Sequence, residues 1–82
     1  MVLIYSTAFC ADCWRIKAAL EALQVPYREI DINRDEEGYD DLLQLAPGRP
    51  HVPTVVLPDG SVLVEPDVVT LTKRLSDRQA EL

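Results

Sequence analysis

The sequence predicts an α/β fold in the order β-α-β-α-β-β-α, a four-stranded mixed sheet flanked by helices. Three observations carry that prediction. A short apolar run, Val2-Leu3-Ile4-Tyr5, passes through a turn into a helix-periodic stretch opened by Cys10-Ala11-Asp12-Cys13. A second strand pattern follows within about thirty residues of the first, which is the layout of a βαβ unit with parallel strands. Two later runs, Thr54–Leu57 and Ser61–Val64, are separated by Pro58-Asp59-Gly60, a tight-turn signal that makes them a hairpin.

Taken in order, Val2 to Tyr5 is β-branched and aromatic enough to read as a buried strand. Ser6 to Phe9 make the turn. In the helix that follows, Ile16, Ala19, Leu20 and Leu23 recur on one face, and Val25-Pro26 ends it. Tyr27 to Ile32 alternates at period two, with Ile30 and Ile32 on one side, so a second and more exposed strand is expected. Asn33 to Asp35 offers helix caps, with Glu36 and Glu37 in the first turn of a short second helix. Tyr39, Leu42, Leu43 and Leu45 supply its apolar side, Gly38 weakens it, and Pro47-Gly48 stops it. After the hairpin, Pro66 suits the first turn of a last helix, with Val68, Val69, Leu71, Leu75 and Leu82 on its apolar side.

The cysteine pair is where chemistry is expected. Cys10 falls at or just before the first helical turn, and Cys13 lies one turn in on the same side. A helix N-terminus carries about half a positive charge and amide N–H groups without helical partners. Both favour a thiolate, so the Cys10 pKa is expected below its reference of about 8.5. The expected division of labour is that Cys10 attacks a substrate disulfide and Cys13 resolves the mixed disulfide. A structural disulfide at this spacing would close too short a loop to stabilise much. A structural zinc site needs four ligands, and His51 is the only other soft candidate.

Eighty-two residues, 48% of them apolar, are expected to form one domain over residues 1–82 with a small core. No apolar run approaches membrane-spanning length, and Met1 leads straight into the first strand, so the expected location is cytoplasmic. There a lone cysteine pair is more often catalytic than structural. Eight basic against fourteen acidic residues give a net charge of −6. Seven of the acids are Glu29, Asp31, Asp35, Glu36, Glu37, Asp40 and Asp41, which argues against nucleic acid or an anionic membrane as partner. The run reads as a solvated face or a surface that steers a basic partner.

A strand, then Cys-x-x-Cys opening a helix, then Val52-Pro53-Thr54-Val55 before a hairpin resembles the glutaredoxin branch of the thioredoxin fold. Arg15 and Lys17 behind the cysteines, and Asp59-Gly60-Ser61 followed by Pro66, extend the likeness over essentially the whole chain. The closest resemblance is to the mycoredoxins and the small glutaredoxin-like hydrogen donors of ribonucleotide reductase. It implies a thiol–disulfide oxidoreductase with Cys10 and Cys13 as catalytic residues. It also implies a cis peptide bond at Pro53, with Val52 and Pro53 against the bound thiol; Phe9, Arg49 and Asp67 are the further substrate-binding candidates. The implied partners are a low-molecular-weight thiol, oxidised proteins and a flavoprotein reductase, acting on a monomer. No bound cofactor is needed, since the two sulfurs carry the electrons. The alternative is a non-enzymatic module holding an iron–sulfur cluster or zinc between subunits through Cys10.

Several positions depart from the glutathione-using pattern. Ala11 and Asp12 stand between the cysteines, Ser6 to Phe9 lack a basic residue, and Val64-Glu65-Pro66-Asp67 replaces a Gly-Gly pair. A small thiol other than glutathione is therefore expected. Asp12 reads equally as a charge opposing the thiolate or as a helix-start acid. Trp14 is expected to cover surface, His51 to be a solvated loop histidine, and Lys17 either to lower a cysteine pKa or to extend into solvent.

Overall fold

The first strand, β1 (Val2–Ser6), alternates its side chains between two apolar layers, and this sets the architecture. Val2 and Ile4 point to one face of the sheet, where they join Ile16, Leu20, Val55, Leu57, Leu63, Leu71 and Leu75. Leu3 and Tyr5 point to the other, with Ile30, Ile32, Leu42, Val52 and Val56. The structure is a computed structural model; it describes residues 1–80, with side chains through residue 76. The last position assigned to the apolar side of the final helix, Leu82, lies outside the described residues.

Among the described residues the order is β1, α1 (Ala11–Ala22), β2 (Tyr27–Asp31), α2 (Glu36–Leu45), β3 (Thr54–Val56), β4 (Val62–Val64) and α3 (Val68–Ala80). The sheet order is β2-β1-β3-β4. β1 pairs with β2 in parallel, Val2 opposite Tyr27 and Ser6 opposite Asp31. β1 with β3, and β3 with β4, are antiparallel. α1 and α3 thus share one face of the sheet and α2 covers the other.

Element ends show where local chemistry decides. α1 stops in a Schellman arrangement: Gln24, at φ 57°, donates to the Glu21 carbonyl, and the Val25 amide reaches the Leu20 carbonyl at 2.9 Å. Leu23, expected on the buried stripe, is the C-terminal cap and 45% exposed, because the chain leaves the helix there. Cys13, Ile16 and Leu20 form the buried stripe. Pro66 stands before α3, not in its first turn; the Asp67 carboxylate caps the helix by accepting from the Thr70 amide at 2.7 Å. Leu71 and Leu75 are buried, whereas Val69 is 77% exposed and Val68 is also exposed.

In α2 the expected apolar side narrows to Leu42, with Tyr39 and Leu45 exposed and Leu43 half-buried. The reason is Gly38, which is buried against β2 and lets the helix approach the sheet closely. A Cβ there would collide with Ile30 Cγ2 and come 3.2 Å from Asp35 Cγ, the residue that caps α2 through the Gly38 amide. Alanine ordinarily gains about 1 kcal/mol over glycine inside a helix. Overpacking a filled site typically loses about 1–3 kcal/mol, so the clash should win and Gly38→Ala should destabilise the protein by up to about 2 kcal/mol. Urea unfolding measures it; a gain in stability would show that α2 can withdraw from Ile30 freely.

Candidate active site

The hairpin and the βαβ unit bring β3 beside β1, so the loops after β1 and before β3 emerge from neighbouring strands. Cys10 is the N-cap of α1, with extended backbone (φ −134°, ψ 105°). The Cys13 amide donates to Cys10 Sγ at 3.0 Å, and the Trp14 amide to the Cys10 carbonyl at 3.1 Å. The sulfur therefore receives one of the amide hydrogens that a helix start leaves over. Cys10 and Cys13 are joined as a disulfide, their Cα atoms 5.2 Å apart. Cys10 is half-buried and Cys13 fully buried.

Over Cys10 lies an open groove of about 490 Å³ lined by Ala8, Phe9, Cys10, Ala11 and Trp14. Phe9 is fully exposed and Trp14 is 69% exposed, so two aromatic surfaces flank the pair. Asp12 sits in the first turn of α1 and forms an exposed ion pair with Arg15.

The other candidates fall elsewhere. The Val52–Pro53 bond is cis, as the resemblance implies, and Pro53 is buried with Val52 half-buried beside it. Neither residue lines the groove over Cys10. Arg49 Nη2 lies 3.9 Å from Glu65 Oε2, and His51 Nδ1 lies 3.0 Å from the same oxygen. His51 is thus a partner of Glu65, with its side chain only 20% exposed, and not the solvated loop residue expected. The Glu65 amide donates to the Pro53 carbonyl at 2.8 Å, and Thr54 Oγ1 donates to the His51 carbonyl at 2.7 Å, so loop and strand end are tied together. Asp67 is fully exposed; the Thr70 amide, and then its hydroxyl, hold its carboxyl below the ordinary value.

Lys17 points to β2, where its ammonium is 2.7 Å from Glu29 Oε2; the Ser6 hydroxyl donates to the same oxygen at 2.8 Å. The Lys17 bond chiefly, with help from Ser6 and against the effect of burial, holds the Glu29 carboxyl below its usual range. Trp14 also borders a second cleft, about 330 Å³, with Lys17, Ala18, Glu21, Tyr27 and Glu29. There the Tyr27 hydroxyl donates to Glu21 Oε1 at 2.7 Å, a bond that, with burial, pushes the phenol up to about 12. The period-two pattern puts Tyr27 and Glu29 on one side of β2, but the pairing of Glu29 with Lys17 is set only by the parallel register. Among the described residues no group of three or more His, Cys, Asp or Glu side chains is placed to hold a metal ion. None of their helices is long and apolar enough to cross a membrane.

Strand order, cysteine pair and hairpin together define the class, an α/β protein of thioredoxin-like fold. Sequence comparison then narrows it: the glutaredoxin family pattern matches residues 2–63, and the chain belongs to the glutaredoxin family. A Mycobacterium tuberculosis (strain H37Rv) protein provisionally named a glutaredoxin is 35% identical over 72 residues, 88% of this chain and 86% of the relative. The crystal structure of the thioredoxin-like protein BC3987 superposes with a TM-score of 0.80 at 27% identity, covering 89% of this chain and 97% of that one. A glutaredoxin of Archaeoglobus fulgidus gives 0.71 at 25% identity, covering 88% and 82%.

Proposed function

We propose that the protein reduces disulfides by dithiol exchange, with Cys10 as nucleophile and Cys13 as resolving thiol. One observation carries the reading: the sulfur at the helix start is the accessible member of the pair and receives the Cys13 amide, while its partner is buried. In the reduced protein the helix terminus and that amide favour the Cys10 thiolate, and burial keeps Cys13 a thiol. Cys10 attacks one sulfur of a substrate disulfide, forming a mixed disulfide and expelling the other sulfur as a thiolate that takes up a proton. Cys13 then gives up its proton and attacks Cys10 Sγ. The second substrate thiol leaves, and the Cys10–Cys13 bond now holds the oxidising equivalent. Two molecules of a small thiol, or a reductase, return the two electrons.

For the small thiol, the chain's own residues favour one other than glutathione. Arg49, the cation next to the Pro53 loop, already faces Glu65, as does the His51 ring, and Ala8 and Phe9 offer no charge beside Cys10. A further carboxylate brought to Glu65 would meet a like charge, which costs affinity. In this reading Phe9 covers the thiol in the groove over Cys10, and Val52, Pro53, Arg49 and Asp67, which lie outside that groove, meet the rest of the substrate. The protein works as a cytoplasmic monomer of one domain.

The test offers the oxidised protein glutathione, mycothiol, bacillithiol and a thioredoxin reductase with its nicotinamide donor, at matched salt. Reduction should be faster with mycothiol or bacillithiol than with glutathione. A clear preference for glutathione would overturn the thiol assignment, and reduction by the reductase alone would replace the small thiol with a protein donor.

A further inference from the structure

The cleft between α1 and β2 has no part in the exchange chemistry, yet it opens from the same wall as the groove over Cys10. Trp14 lines both. We propose that this cleft docks a basic side chain, arginine above all, of the oxidised protein substrate and so sets its sequence preference; the inference rests on the thiol–disulfide reading of Cys10.

The charges in the cleft decide the sign of the ligand. Among the described residues that line it, Lys17 is the one cation, and Glu29 already holds it at 2.7 Å. Glu21 is the carboxylate left over, since its partner is the neutral Tyr27 hydroxyl. That phenol is a neutral donor, so among the described residues no cation pairs with Glu21 directly. The remaining lining, Trp14, Ala18 and the ring of Tyr27, suits an aliphatic stem, and the exposed indole offers a face for a guanidinium. An anionic ligand would have to take Lys17 from Glu29. A purely apolar one would strip water from Glu21 with nothing to replace it. Planar, weakly hydrated arginine fits better than lysine.

Geometry fixes how far from the target cysteine that residue sits. Glu21 is eleven positions after Cys10 on α1, about 16 Å along the axis at 1.5 Å per residue. An extended peptide advances about 3.3 Å per residue, and a long side chain covers part of the span, which places the arginine about three to five residues from the cysteine.

The experiment uses the reduced full chain and peptides whose one cysteine is in mixed disulfide with 2-mercaptoethanol. Arginine, norleucine or glutamate stands three to five residues away on either side, and bis(2-hydroxyethyl) disulfide serves as the substrate without a peptide. The arginine peptide should react about five- to tenfold faster than the norleucine peptide, and the glutamate peptide more slowly than either. Glu21→Gln should bring the arginine-to-norleucine ratio close to one. Lys17→Gln, which frees Glu29, should raise it. Glu37→Gln, on α2 across the sheet, should leave it as it is. Equal rates for arginine and norleucine, or an equal effect of Glu37→Gln and Glu21→Gln, would overturn the docking site. So would reduction of bis(2-hydroxyethyl) disulfide with every peptide refused. If neither peptides nor the small disulfide are reduced, it is the reading of Cys10 that fails.

Discussion

Cys10→Ser is expected to lose disulfide reductase turnover by about a thousandfold or more, because a serine hydroxyl at neutral pH is not ionised and removing a covalent nucleophile removes the step itself. The substitution keeps the N-cap, since serine accepts the Cys13 amide as well as sulfur does, so folding should survive. Cys13→Ser should behave oppositely. The first exchange still occurs, but nothing resolves it, and the protein accumulates with one substrate thiol on Cys10. Intact-mass measurement after mixing with a peptide disulfide distinguishes the two. An adduct on the Cys10→Ser protein, or unchanged turnover, would contradict the assignment of roles.

Stability should depend on Leu71 far more than on its neighbours. Leu71 is fully buried where α3 meets Ile16 and Leu20 of α1 and Val55 of β3. Truncating such a leucine removes transfer energy and leaves a cavity, typically about 2–5 kcal/mol. In a domain of this size each kcal/mol moves the melting temperature by about 4–8 °C, so Leu71→Ala should lower Tm by roughly 8–40 °C. Val69→Ala, two positions earlier but 77% exposed, should change stability by less than about 0.5 kcal/mol. Thermal unfolding followed by circular dichroism reads both, and comparable losses would mean that α3 docks by another face.

The contrast between Leu71 and Val69 also marks how far the sequence was legible. Where structure is local and periodic, residues reveal it: the apolar run of β1, the stripe through Ile16 and Leu20, the turn at Asp59-Gly60, and Cys10 at the start of α1. Parallel pairing of β1 and β2 followed from the helix between them. Positions that depend on what lies opposite did not show. Tyr39 and Leu45 look like core in a helical projection but face solvent, because the tight approach at Gly38 turns α2 about Leu42. The pairing of Glu65 with His51 and Arg49 joins residues on either side of the β3–β4 hairpin, and the Ser6–Glu29–Lys17 contact joins three separate elements. No spacing rule connects such residues; only the sheet register does. Trp14 is the instructive case, since its dual position beside Cys10 and beside the Glu21 cleft appears only once α1 is laid against β2.

The central claim, that Cys10 is the reactive thiolate and Cys13 the covered partner, is tested most directly by limited alkylation. The reduced protein is treated with iodoacetamide at mildly acidic pH, where only a thiol of lowered pKa reacts quickly. Peptide mapping at early times should find the label on Cys10, with Cys13 modified only slowly or after unfolding. Labelling of Cys13 first, or of both at one rate equal to that of a free peptide thiol, would contradict the account.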